Sequence, residues 1–488
     1  MKAFPQVATI TIVFIALCFW GCDSSEAESP ESEPAAAVPA TDEDIAALEE
    51  QQKGEQQPDF DELISLDEAN LSMQFHSSHG AIPDTDFDEL FVEFQLEAPE
   101  EKPEVRPPLN LALVIDRSGS MRGDAMSQAR QAARSFVEEL EAQDRISLVS
   151  FGADSTVDVA SVHVDDEGRP QLLEAIDKLN SGGMTYLSGG LRDGVDELRE
   201  HSSPATVDRV VLMTDGVPNV GISDREGLLE KTSTIRQQGV SLTSLGFGTD
   251  YDAELMGAMA NEGTGNYQYI ADPEDFQRAF ATELDNLFST VASQVHLDLK
   301  LADGVHFDDV YGYNRQEIDG GVRIAMGDIF AGDNRSAVVR LRVDEGSVAS
   351  ASDLLSVEAN YLDRLTDSRV HGGYDLTIAR VDDQQQVEES VSSSVMGRVW
   401  EIKAQEAISD AMAIFNDNDR QRARALLDSN IESLQNASEQ YGIPQDVFER
   451  SKEHLMSAKE DVQELAPRSR SARHRSNQRS QDTIEIIR

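Results

Sequence analysis

Through the middle of the chain, short unbroken apolar runs alternate with longer stretches in which apolar residues recur three and four positions apart. Leu109–Ile115 is apolar at every position except Asn110, and Val210–Met213 is a second such run within Val207–Thr214. Runs of this kind, bounded by turn residues, mark strands buried on both faces of a parallel sheet. Between them, Asp124–Leu140 places Ala125, Ala129, Ala132, Phe136 and Leu140 on one helical face. Pro170–Leu179, Leu187–Leu198, Arg225–Gln238, Ala253–Ala260 and Asp275–Phe288 read as further helices. Arg145–Phe151, Ser241–Gly246 and Gly265–Ile270 read as strands, and Thr156–His163 as an antiparallel edge strand. Strand–helix alternation predicts an α/β domain over residues 105–292, with a Rossmann-like, doubly wound, mostly parallel sheet.

The flanks carry a different period. Residues 67–100 alternate apolar and polar, as in Phe91-Val92-Glu93-Phe94-Gln95-Leu96, and residues 293–382 repeat short alternating runs separated by Gly, Asp and Asn. Both are expected to be antiparallel strands. They are expected to share one β-sandwich-like domain, with the α/β domain inserted between them. Residues 99–108 form a Pro- and Glu-rich connector, and Gln384–Ser394 a polar linker. Residues 395–466 predict three helices, the last two separated by Gly442-Ile443-Pro444. The stripe Ala404, Ala407, Ile408, Ala411 and Met412 is expected to pack helix against helix. The tail, residues 467–488, carries Arg468, Arg470, Arg473, Arg475 and Arg479 and is expected to be solvated, without fixed structure.

Length and charge sharpen this picture. The 488 residues allow about two or three domains. With 41 Lys and Arg against 91 Asp and Glu, the formal net charge is −50. Such a chain repels polyanions at long range, which argues against nucleic acid as a partner. At the start, the apolar run Val7–Trp20 follows Lys2 and ends at Gly21-Cys22. It is shorter than the ~20 apolar residues of a membrane span and reads as an export signal over residues 1–22. Cys22 resembles the acylated cysteine of bacterial lipoproteins, although Phe19 and Trp20 stand where that pattern usually has Leu and a small residue. The expectation is a lipid-anchored protein of the cell envelope, facing the periplasm or the exterior. Residues 23–66, acidic with Lys53 as the sole basic residue, are expected to be a disordered linker. With Cys18 inside the signal, only Cys22 would survive processing, which excludes an internal disulfide and cysteine-based metal sites.

The candidate chemistry sits at the strand ends. Asp116, Ser118 and Ser120 follow the first buried strand at alternate positions. Thr185 follows Gly182-Gly183-Met184, and Asp215 follows Val207–Thr214. These are hard oxygen donors, suited to Mg²⁺, Ca²⁺ or Mn²⁺. Singly, each has a plainer explanation, a helix cap or a turn. Together, in this order, they resemble the metal-ion-dependent adhesion site of von Willebrand factor type A (VWA) domains. That family's pattern is D-x-S-x-S, then a distant Thr, then an Asp after a later strand. The stretch from Leu245 to Tyr267 resembles bacterial members in particular, and the resemblance covers less than half of the chain.

The resemblance implies that Ser118 and Ser120 ligate a divalent cation, most simply Mg²⁺, through their hydroxyls. It implies that Thr185 joins them when a partner is bound, and that Asp116 and Asp215 act largely through water. A protein ligand presenting Asp or Glu would complete the coordination, and the last helix of the domain could shift in response. The function implied is a metal-dependent adhesion or scaffold module. The alternatives are a metal-stabilised scaffold, an accessory subunit of a membrane or AAA+ complex, or a metal-dependent hydrolase. Against catalysis, the acid/base Asp that a haloacid-dehalogenase-type enzyme needs two residues after its nucleophile is replaced by Ser118. The chain has no G-x-S-x-G or H-E-x-x-H, and its nine His form no ligand-spaced cluster. The expectation is a protein that is not an enzyme.

Overall fold

The computed structural model describes residues 63–64, 70–249, 251–347 and 352–487. The expected export signal, Cys22 and nearly all of the acidic linker lie outside the described residues.

The central sheet is built from β5 (Leu109–Asp116), β6 (Arg145–Phe151), β7 (Ser155–His163), β8 (Val207–Thr214), β9 (Ser241–Phe247) and β10 (Thr264–Ile270). Its strand order is β10-β9-β8-β5-β6-β7, parallel throughout except for the antiparallel edge strand β7. Every residue of β5 and β8 is buried. On one face, Leu109, Leu111, Leu113 and Ile115 pack against α1 (Asp124–Glu139), α2 (Gly168–Lys178) and α6 (Phe276–Phe288). On the other, Ala112 and Val114 meet α3 (Leu187–Arg199), while α4 (Arg225–Gln237) and α5 (Ala253–Glu262) cover the neighbouring strands. Burial on two faces is why β5 reads as a continuous apolar run. The single polar residue in that run, Asn110, donates to Leu198 O and Asp208 Oδ1 at 3.0 and 2.9 Å. A Cβ on Gly194 of α3 would lie 2.7 Å from Val114, so glycine is what lets this helix approach the sheet.

The flanking strands form two sheets around one core, antiparallel except where the short strands β1 and β3 pair parallel with β17. One has the order β12-β15-β4-β2, from Val305–Tyr311, Asn334–Val343, Phe87–Glu97 and Ser72–Ser77. The other is centred on β17 (Ser368–Val381), β16 (Ser352–Asp363), β11 (Thr290–Leu301) and β14 (Gly321–Phe330). The short strands β1 (Leu63–Ile64), β3 (Ala81–Pro83) and β13 (Arg315–Ile318) complete it. β4 pairs with β15, Phe94 opposite Ala337. The α/β chain therefore leaves the sandwich after β4 and re-enters it at β11.

Two buried arginines fasten the layers together. Arg209 of β8 is fully buried and bonds Glu283 of α6 at 2.9 Å and Asp328 of β14 at 2.6 Å. Arg364 donates to Ser293 Oγ, Pro204 O and Thr206 O, each at 2.9 Å. Where the connector enters β5, Arg106 holds the buried Asp144 through two bonds of 2.7 Å.

Beyond the sandwich, part of the expected polar linker is helical. α7 (Gln384–Glu389) is capped by the Asp383 carboxylate, which accepts from Gln385 N. α8 (Ser393–Asn416), α9 (Arg420–Tyr441) and α10 (Gln445–Glu464) pack together, with Ala404, Ala407, Ile408, Ala411 and Met412 in their shared core. Gly442 ends α9 in the left-handed conformation, φ +63. No helix among the described residues is long and apolar enough to cross a membrane.

The arginine-rich tail corrects the sequence reading. Residues 470–487 form α11 (Arg470–Ile487), which folds back along the edge strand β10. Gln481 Oε1 accepts the Tyr269 amide of β10 at 2.8 Å, covering an otherwise open sheet edge. Arg475 and Arg479 share Asp461 of α10. Ile484 sits against Gly257 and Ile487 against Gly312, where a Cβ would come within 2.6 and 2.5 Å of them. The pattern misled because a few well-placed apolar residues and paired charges, and no full apolar stripe, hold this helix.

Glu406 on α8 is pushed up to about 7 by burial and by Asp309 and Asp410, against the pull of Lys403 and Arg340. A raised folded-state value means the native protein binds the extra proton, so stability falls as pH rises from about 4.5 to 7. The carboxylate is partly open to solvent, which reduces the effect. In Glu406→Gln that decline should flatten. Urea midpoints at pH 5 and 7.5 would test it, and an unchanged difference between the two pH values would refute it.

Candidate metal centre

β5 and its neighbours end together at one edge of the sheet. Register sets Asp116 opposite Phe151 and Ile115 opposite Met213, which brings Asp116 beside the end of β8. The carboxylate is pinned on both sides. Its Oδ1 accepts Ser118 N at 2.7 Å and its Oδ2 accepts the Thr214 hydroxyl at 2.5 Å. From there a chain of oxygens runs outward. Ser118 Oγ lies 2.9 Å from Ser120 Oγ, which donates to Asp215 Oδ1 at 2.6 Å.

Thr185 arrives on the loop before α3. Gly182 N donates to Arg117 O at 2.6 Å, and Gly119 N to Gly183 O at 3.1 Å, so this loop is laced to the turn after β5. Asn219 then clamps Thr185 from the loop after β8. Thr185 N donates to Asn219 Oδ1 at 2.9 Å, and Asn219 N to Thr185 O at 3.1 Å. A Cβ on Gly216 would lie 3.0 Å from Thr185 Oγ1 and 3.5 Å from Asp116 Oδ2. Those two oxygens therefore border one small space, and glycine keeps it clear.

All five residues singled out in the sequence, Asp116, Ser118, Ser120, Thr185 and Asp215, thus converge. Asp116, Ser118, Thr185 and Asp215 are buried, and Ser120 is open to solvent. Thr214 and Asn219 were not foreseen. A hydroxyl closing the apolar run of β8 was a usable signal for Thr214, whereas nothing local marked Asn219.

The electrostatics of Asp116 test whether a cation would fit. Burial raises its pKa, and the bonds from Thr214 and Ser118 pull the other way. No Lys, Arg or His among the described residues lies within ion-pair distance of it, and neighbouring Arg117 turns to Asp154. A buried carboxylate either takes up a proton or needs a countercharge. Neighbouring vertices of an octahedral Mg²⁺ shell are about 2.9 Å apart for bonds of 2.0–2.1 Å. The Ser118–Ser120 spacing of 2.9 Å matches that edge. The donor set therefore suits a small hard cation. Among the described residues no group of three or more His, Cys, Asp and Glu is placed to hold a metal ion, so an ion here would rest mainly on the hydroxyls.

A doubly wound sheet with oxygen donors gathered where its central strands end defines the class of domain. Residues 110–283 match the family model of the von Willebrand factor type A domain, and the chain carries a domain of that family. Over 205 residues, 42% of this chain and 35% of the relative, it is 31% identical to the Escherichia coli protein YfbK. It is 26% identical to the Synechocystis protein sll0103 over 49% of this chain and 58% of that one. Inter-alpha-trypsin inhibitor heavy chain H1 of Mesocricetus auratus matches at 29% over 39% of this chain and 21% of its own length. The matches thus span less than two thirds of these relatives. Among solved structures, a von Willebrand factor type A protein from Catenulispora acidiphila superposes with a TM-score of 0.66 at 15% identity. It covers 81% of this chain and 90% of its own. The ArnB paralog VWA2 from Sulfolobus acidocaldarius gives 0.55 at 16% identity, covering 81% and 98%. At these identities the likeness is one of fold, and it extends beyond the VWA domain.

Proposed function

We propose that this protein is a metal-dependent protein-binding module of the cell envelope, without catalytic activity. Ser118, Ser120 and Thr185 would hold a divalent cation, most simply Mg²⁺, and Asp116 and Asp215 would steady it, largely through water. The bound ion supplies a Lewis-acidic vertex for an Asp or Glu carboxylate of a partner protein. The chain's own part is to keep the hydroxyls preset, through the Gly119–Gly183 and Thr185–Asn219 bonds, and to spare the ion a direct anionic ligand. Lipidation at Cys22, with the acidic linker as a tether, would hold the module at the membrane.

The observation that carries this reading is the convergence of five oxygen-bearing side chains, one of them a buried carboxylate that has no cationic neighbour among the described residues. The net charge of −50 adds to it. Long-range repulsion of an acidic partner is screened over about 8–10 Å at physiological salt, so a cation at the contact can dominate. Capture from envelope extract in Mg²⁺ and in EDTA, with Ser118→Ala as control, tests the proposal. Retention of a partner in Mg²⁺ alone, lost in the variant, is the expected result. Retention that ignores both EDTA and the substitution would end it. A rise in melting temperature with Mg²⁺ and no partner at all would favour a purely structural ion.

A further inference from the structure

The surface around the five oxygen donors is unlike the rest of this acidic molecule. Among the described residues few large apolar side chains are open to solvent, and three of them sit here: Met184 (50% exposed), Val217 (51%) and Ile222 (43%). Met184 precedes Thr185, and Val217 follows Asp215 by two positions. Ile222 lies on the same loop as Val217, its amide bonded to Ser188 Oγ at 3.1 Å. The two loops are zipped by the Thr185–Asn219 pair, so the three side chains border one face. Apolar groups left in water around a polar centre mark an interaction site more often than chance placement. Methionine in particular adapts to varied partners.

Val217 belongs to a second feature as well. It lines an open cleft of about 500 Å³, one wall of which is not part of the VWA domain. That wall is made by Ser409 and Asn416 of α8 and by Ser476 and Asn477 of α11, facing Thr249. The charged groups along it are of both signs and several are engaged already. The Asp252 carboxylate caps α5 by accepting Leu255 N, Glu254 pairs with Arg225, and Arg468 donates to Asn416 O. Besides these charges, the cleft offers hydroxyls and amides. Asn416 Oδ1, buried in its wall, accepts no hydrogen bond among the described residues. Such a lining suits an extended peptide, whose backbone donors and acceptors need partners along its length.

From the apolar collar and the adjoining polar cleft we infer that the partner is recognised through an extended segment. Its acidic residue is flanked by aliphatic or aromatic side chains, and its chain continues from Val217 into the groove between the VWA domain and helices α8 and α11. This rests on the metal reading above and deepens it. The collar supplies selectivity among acid-bearing segments, and the C-terminal helices become part of the binding face.

The test uses the full chain and ligand-observed NMR with three synthetic peptides, each with blocked termini. They are Gly-Gly-Asp-Gly-Gly, Gly-Leu-Asp-Leu-Gly, and the latter extended at both ends with Ser-Gly repeats. In Mg²⁺ the leucine-flanked peptide should bind about tenfold more tightly than the glycine-flanked one, the gain of partly burying an aliphatic side chain. Val217→Ser with Met184→Ser, both at exposed positions, should abolish that preference while leaving the glycine-flanked peptide unchanged. Ser409→Trp should weaken the extended peptide and spare the short ones. Mg²⁺-dependent binding with no leucine preference, or a preference untouched by the collar variant, would overturn the inference and leave the metal reading standing. A collar-dependent preference that persists in EDTA would overturn the metal reading and, with it, the acidic anchor of the inferred segment. Absence of binding by all three peptides in Mg²⁺ would overturn both.

Discussion

Arg209→Met should destabilise the protein by about 3–5 kcal/mol, the largest loss expected from any single substitution at its domain junction. Burial alone would disfavour the charged guanidinium, yet Glu283 and Asp328 outweigh it and raise its pKa. The two carboxylates are themselves 0% and 5% exposed. Removing the arginine leaves both without their cation, and methionine can replace the packing but not the charge. Glu283 still receives the Thr243 hydroxyl at 2.7 Å, which softens the loss without cancelling it. A triple variant adding Glu283→Gln and Asp328→Asn should recover much of the stability, because no buried charge then remains unpaired. Urea unfolding with separate probes for the sandwich and the α/β domain would measure both. If Arg209→Met unfolds at the wild-type midpoint, the triad is not what joins these layers. Arg209 lies near the start of β8 and Asp215 directly follows its last residue, so the strand that leads to the candidate metal centre is anchored in the sandwich.

The second large effect is expected at Asp116. Asp116→Ala should lower the affinity for Mg²⁺ or Mn²⁺ by about 10–100-fold, the range seen when outer-shell partners of a bound metal are removed. The substitution removes the acceptor that fixes Ser118 N and the Thr214 hydroxyl, so the hydroxyl ladder loses its foundation. The sign of the stability change separates a metal site from a structural turn. Without metal, the wild-type protein buries a carboxylate that lacks a cationic neighbour among the described residues, so its removal relieves that burial while giving up two hydrogen bonds. With metal, binding to the native state alone stabilises it by an amount set by concentration over Kd. Added Mg²⁺ should therefore raise the melting temperature of the wild-type protein and not of Asp116→Ala. Manganese binding followed by electron paramagnetic resonance gives the affinities directly. Equal affinities in the two proteins would show that Asp116 serves only the fold.

Much of the architecture was legible in the residues. The β5 run, the helical spacing of α1 and the short alternating strands each report what their own segment buries, and that is local information. The five oxygen donors were legible too, because Ser and Asp at the end of an apolar strand conflict with burial unless something there needs them. Other features depended on partners distant in sequence. Nothing in the residues around Arg209 marked its partners, Glu283 of α6 and Asp328 of β14. Asn219 is an unremarkable loop residue until it grips Thr185. Helix α11 looked like a solvated basic tail because its holding contacts, Asp461, Gly257, Tyr269 and Gly312, come from four separate elements.

The sequence by itself determined the strand and helix order, the alternation of the sandwich, and which residue types could receive a hard cation. Only the tertiary structure decided that those residues meet, that buried arginines join the layers, and that the C-terminal helices flank the candidate metal face. Periodicity records how each segment divides itself between core and water, whereas a polar contact between segments leaves no periodic trace and exists only once packing has brought the two ends together.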